Sequence, residues 1–79
     1  MQKPSIGRVV VYTQAAGSVA LNGAREHPAV ITRVWTDTCV NLRIFFDDGT
    51  TGHYTSQMNL SAQSEENRQF GGWDWPARV

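Results

Sequence analysis

The chain has 79 residues, 41% of them hydrophobic, with seven basic and seven acidic side chains that cancel to zero net charge. That length makes one domain over residues 1–79, near the lower end of what folds without a disulfide, metal or partner. The charge balance argues against nonspecific duplex binding, which needs a basic stripe to neutralise phosphates. The single cysteine, Cys39, excludes an internal disulfide and a cysteine-rich metal cluster. No apolar run approaches the ~20 residues of a membrane helix, and Met1-Gln2-Lys3-Pro4 leads into a strand without a hydrophobic leader. These features predict a soluble protein of a reducing compartment.

The first predicted strand is Ile6 to Thr13, with valines on both faces. Gln14 to Glu26 is rich in Ala, Gly, Ser and Asn and reads as a long loop, with Gly17 and Gly23 available for positive φ. Pro28 opens the second strand, where its missing N–H does no harm. Simple alternation puts Ala29, Ile31, Arg33 and Trp35 on one face and Val30, Thr32, Val34 and Thr36 on the other. Thr36-Asp37-Thr38 turns the chain, because these side chains hydrogen-bond local backbone. The third strand, Cys39 to Asp47, gives a core face of Val40, Leu42, Ile44 and Phe46. Asp48-Gly49 predicts a tight type I′ hairpin.

The fourth strand, Thr50 to Ser56, is polar and interrupted by Gly52, as an edge or a bulge would be. In the polar stretch Gln57 to Gln69, Ser61 is the expected cap of a short helical turn, and Phe70 is expected to pin the segment to the core. Gly71-Gly72 then leads into a short extended element, Trp73-Asp74-Trp75-Pro76, with both indoles on one face. The order of elements predicts an all-β fold: a small SH3-like five-stranded barrel or a strongly bent antiparallel sheet. It has one long early loop and a short helical turn before the last strand.

Catalytic chemistry finds little support. Cys39 has no cationic neighbour or helix N-terminus to activate it, and His27 and His53 have no metal-ligand spacing. Asp47 and Asp48 diverge as adjacent side chains and are explained by the turn. No catalytic residue, metal or cofactor is therefore expected. The arginines and aromatics point to binding instead. Arg33, Trp35, Asp37, Thr38 and Arg43 gather around one turn, with His27 at the other end of the same strand. Together they are the candidate site for a nucleotide-like ligand, with aromatic faces for stacking and guanidinium forks for anions. Core packing is the competing role for Trp35 and Trp75, and surface ion pairing with Asp37 or Asp47 the competing role for Arg33 and Arg43. Trp73, Trp75 and Phe70 are the candidate anchors for a protein partner.

Several segments together resemble small proteins encoded in tailed-phage and prophage genomes. They are Gly7-Arg8-Val9-Val10-Val11-Tyr12, Asn22-Gly23, the run His27-Pro28-Ala29-Val30-Ile31-Thr32-Arg33-Val34-Trp35, Asp37-Thr38-Cys39-Val40-Asn41-Leu42, Asp48-Gly49, and Trp73-Asp74-Trp75-Pro76. The resemblance covers most of the chain apart from Ala15–Leu21 and Gln57–Phe70. It implies a phage setting in the host bacterial cytoplasm, or in the virion for a structural part, and no defined reaction. In that setting the expectation is a non-enzymatic, homo-oligomeric accessory protein. It would antagonise host defence by sequestering a nucleotide-like signal, or act as a protein–protein module that blocks a host protein or serves virion assembly.

Overall fold

The computed structural model describes residues 3–15 and 25–76. Most of the expected Gln14–Glu26 loop, with Gly17 and Gly23, lies outside the described residues. Five strands form one antiparallel sheet: β1 (Val9–Thr13), β2 (Glu26–Val34), β3 (Cys39–Phe45), β4 (Thr51–Met58) and β5 (Gly72–Asp74). Their spatial order is β4-β3-β2-β1-β5, so the meander of the first four strands is extended by β5 returning beside β1. Asn59, just past β4, makes a parallel bridge to Trp73, which brings the two ends of the sheet together. The result is an all-β, strongly curled half-barrel, as the expectation of a small five-stranded barrel or strongly bent antiparallel sheet required. Two 3-10 turns, Leu60–Ala62 and Asn67–Phe70, occupy the connection before β5.

The core lines the inside of the curl. Val10, Ala29, Ile31, Val40, Leu42, Ile44 and Trp73 are fully buried, Tyr12 nearly so, with Val34, Phe46 and Trp75 packed against them. The predicted core face of β3 is thus the observed one. Pro28 sits third in β2 and pairs with Val11 of β1. The ladder to β3 begins only at Ala29, so the absent Pro28 N–H leaves that ladder intact.

Several local expectations are corrected. The first strand begins at Val9 rather than Ile6, because Gly7 at φ +89° turns the preceding residues and Arg8 donates to the Ser5 carbonyl. The β2–β3 register shifts between Ile31 and Arg33, leaving Thr32 as the extra residue of a β-bulge. The bulge inverts the alternation: Ile31 and Val34 face the core, and Arg33 and Trp35 do not share a face with Ala29 and Ile31. The fourth strand is an edge strand, as expected, but its bulge lies at Thr55–Ser56, with Ser56 at φ 54°, while Gly52 pairs regularly with Ile44. Ser61 lies inside the first 3-10 turn and caps nothing; its hydroxyl donates to Asp74 Oδ2 at 2.6 Å. Phe70 is 68% exposed and does not pin the segment to the core.

The β3–β4 hairpin is not type I′, since only Gly49 has positive φ. The Gly49 N–H bonds the Phe46 carbonyl and the Phe46 N–H bonds the Thr50 carbonyl. This is the three-residue pattern in which a type I turn precedes a left-handed glycine. Asp48 Oδ1 accepts from the Thr50 hydroxyl at 2.6 Å and the Thr50 N–H at 2.9 Å. Those bonds, the hydroxyl first, hold the Asp48 carboxyl below the ordinary aspartate pKa. A depressed folded pKa stabilises the fold above the unfolded value, and that contribution disappears as pH falls through the folded one. Acid titration of wild type and Asp48→Asn should therefore show a shallower loss of stability in the variant at low pH. Identical acid arms would contradict the role given to Asp48.

Candidate functional site

The outer face of the sheet is organised by the two bulges, which flank Asn41. In register, Asn41 lies opposite Arg33 on β2, and on β4 the ladder skips from Gln57 to Tyr54 around it. Asn41 is 8% exposed although it points away from the core face. Its Oδ1 accepts the Trp35 indole N–H at 2.8 Å and the Ser56 backbone N–H at 2.9 Å. One side chain thereby ties the end of β2 to β4 and fixes the plane of the Trp35 ring. Trp35 nevertheless remains 51% exposed, and the Arg33 guanidinium lies 4.0 Å from its centroid. A cation over an indole at an exposed site contributes ~0.5–1 kcal/mol. The pair is a presented platform rather than core.

Arg43 and Phe45 alternate with Asn41 along the same face of β3, and His53 and Thr51 stand beside them on β4. The Arg43 guanidinium donates to the Thr51 hydroxyl at 3.4 Å, and Thr32 Oγ1 lies 3.2 Å from His53 Nε2. Phe45 is 43% exposed. The face therefore combines a locked indole, two guanidinium groups, an imidazole and a phenyl ring.

The rest of the sequence-predicted cluster is dispersed. Asp37 and Thr38 belong to the turn after β2, where the Thr36 hydroxyl accepts the N–H groups of Thr38 and Cys39. They line a cavity of about 290 Å³ against Asn59, Ser61, Asp74 and Trp75. His27 is 2% exposed; it pairs with Tyr12 across β1, packs edge-on against Phe46, and its Nε2 lies 3.0 Å from Gln14 Oε1. A buried, hydrogen-bonded imidazole of this kind is part of the core, not of the Arg33–Trp35 face. Tyr12 in turn stands edge-on to Tyr54, and burial, followed by the Tyr54 hydroxyl, raises the Tyr12 pKa.

The three candidate anchors for a protein also separate. Trp73 is fully buried, with its indole N–H donating to the carbonyls of Gln57 and Thr38 at 3.0 and 3.2 Å. Trp75 is half-buried, edge-on to Trp73 and under the Arg8 guanidinium. Phe70 lies apart from both, on the second 3-10 turn. Trp73 is thus buried within the fold, and Asn41 is the residue of this candidate face that the sequence pattern concealed.

Other concavities lie elsewhere. A groove of about 640 Å³ runs along β1 between Pro28 and Trp75, and one of about 340 Å³ lies between His27 and Phe46. Neither these two nor the Asp37 cavity includes Arg33, Trp35 or Arg43 among its walls. Among the described residues no three His, Cys, Asp or Glu side chains are grouped to hold a metal, and no helix is long and apolar enough to cross a membrane. Comparison with protein-family models, curated proteins and solved structures gives no match to this chain.

Proposed function

We propose that the chain is a non-enzymatic binding module that docks a partner protein on its outer sheet face, with Trp35 and Arg33 as anchors. The observation that carries this reading is an indole half exposed to solvent yet locked by Asn41. Tryptophan and arginine dominate interface hot spots, and an anchor already fixed in place loses little entropy on binding. Arg33, Trp35 and Arg43 are all exposed on the outer face, which favours a broad partner surface over an enclosed small molecule. The resemblance to small phage proteins supplies the setting: a host protein in the bacterial cytoplasm, or a neighbouring subunit in a virion.

Retention of the partner from host lysate should fall at least about tenfold for Trp35→Ala and for Arg33→Ala, and stay unchanged for Phe70→Ala. All three variants should remain folded at the temperature of the assay. Unchanged retention by Trp35→Ala would sink the proposal.

A nucleotide-like ligand is the second reading, favoured by the guanidinium stacked on an indole with Arg43 on the same face. A base would stack on that platform and a phosphate would bridge to Arg43. Such a ligand would need a second wall, which another copy would have to provide. A thermal shift with a cyclic-nucleotide panel, lost in Arg33→Ala and Arg43→Ala, would put this reading in place of the first.

A further inference from the structure

The edge of β4 carries an inference independent of what the outer face binds. Among the described residues, β4 is hydrogen-bonded to β3 on one side and to no strand on the other. The opposite edge, β5, has only three residues, two of them buried. β4 is eight residues long, and Thr51–Met58 contains no charged residue and no proline. Folded proteins blunt an edge of this length with lysine, proline, inward charges or bulges. Here the Thr55–Ser56 bulge and the approach of Gly72 and Trp73 to Met58 and Asn59 protect the far end alone. Thr51–Thr55 remains a regular, uncharged edge with a row of backbone groups that no strand pairs.

We propose that this segment pairs antiparallel with the same segment of a second copy, in a register centred on His53. A strand meeting itself across a twofold axis is self-complementary by construction. Centring on His53 uses all five regular residues. Centring on Tyr54 would bring the Ser56 bulge into the ladder, and centring on Gly52 would bring in Thr50 of the hairpin. In the His53 register Thr51 faces Thr55 of the second copy on the outer face, a favourable cross-strand threonine pair. On the inner face Gly52 faces Tyr54 of the second copy. A second copy is the occupant that the charge pattern fits: the segment is uncharged and the chain has zero net charge, so two copies meet without repulsion. A domain with so small a core also gains from sharing an edge.

The register makes a charge-reversal experiment decisive. In Thr51→Lys/Thr55→Lys each lysine meets a lysine of the other copy, whereas in Thr51→Glu/Thr55→Lys each glutamate meets a lysine. Within one strand, positions 51 and 55 are too far apart to pair. Sedimentation equilibrium should give wild type and the glutamate–lysine variant a mass twice the 8.8 kDa of one chain. The dilysine variant should sediment as a monomer with an unchanged circular dichroism spectrum. A wild type that stays monomeric up to high micromolar concentration overturns the dimer. A dilysine variant that still dimerises, or a glutamate–lysine variant that does not, overturns the register and the edge with it. Trp35→Ala should leave the dimer intact, which keeps failure of the docking reading distinct from failure of this one.

Discussion

Replacing Trp73 with alanine should remove a quarter or more of the stability of this domain, lowering its melting temperature by at least ~12 °C. Truncating a buried tryptophan costs ~3–5 kcal/mol. A chain of this length has a total stability of only ~4–12 kcal/mol. At ~4–8 °C per kcal/mol for a small domain, even the low end of that cost gives the stated shift. The indole is fully buried, and its N–H joins the carbonyls of Thr38 and Gln57. It therefore holds the turn after β2 and the end of β4 onto β5. Trp73→Phe, which keeps much of the apolar area and loses the N–H, should fall between alanine and wild type. Trp35→Ala should cost only ~1–2 kcal/mol, because that indole is half exposed and loses its arginine stack and one hydrogen bond to Asn41, whose oxygen keeps the Ser56 N–H. The contrast separates the two tryptophans by role: binding lost with the fold at Trp73, and lost without it at Trp35. Equal melting temperatures for the two variants would contradict this assignment.

The sorting of those tryptophans is only partly legible in the chain. Val40, Leu42, Ile44 and Phe46 alternate without interruption, and a strand with one buried face permits only one register for them. The β2 pattern is ambiguous, because Val30-Ile31 and Val34-Trp35 are two adjacent apolar pairs. A strict period of two that turns Ile31 inward places the first pair correctly but turns Trp35 inward and Val34 outward, the reverse of what is found. The Thr32 bulge resolves this by burying Ile31 and Val34 together, and the doubled apolar pairs are its sequence signature. His27 is legible in the opposite sense, since its alternation with Ala29 and Ile31 already places it among core residues. Its ionisable ring suggests chemistry, whereas packing against Phe46 decides its environment.

Asn41 shows why the site is harder to read than the fold. A polar residue between Val40 and Leu42 looks like an ordinary solvent-facing strand position. Its importance arises only where two bulges, one on each neighbouring strand, deliver the Trp35 and Ser56 donors to one oxygen. Phe70 misleads for the converse reason: an isolated apolar residue in a polar stretch has no neighbours of its own period to bury it, and the 3-10 turn carries it along the surface.

Gly72→Ala should be the most damaging of the small substitutions, and Gly71→Ala nearly as severe. A Cβ at Gly72 would run into the Met58 carbonyl oxygen, lie 2.8 Å from Gln63 Nε2, and 3.1 Å from Leu60 Cδ2. The Met58 oxygen is main chain at the end of β4 and already accepts from Gln63, so it cannot swing aside as a side-chain tip would. Relief requires β5 to move away from Met58 and Asn59, which opens the Asn59–Trp73 bridge and loosens the burial of Trp73. Overpacking of this kind costs ~1–3 kcal/mol before the closure itself is lost. Gly71 adds a conformational demand: at φ 83°, ψ 175° it occupies a region essentially restricted to glycine, at ~1–3 kcal/mol for other residues. Its Cβ would also sit 2.7 Å from the Thr13 carbonyl oxygen. Gly49 provides the control, with φ +89° but no atom within 4 Å of where an alanine methyl would sit, so Gly49→Ala should cost only ~1 kcal/mol. Urea midpoints should rank wild type, Gly49→Ala, then the two paired glycines well below. A Gly72→Ala midpoint at or above that of Gly49→Ala would mean that the ends of the sheet are not held together through Met58, Asn59 and Trp73.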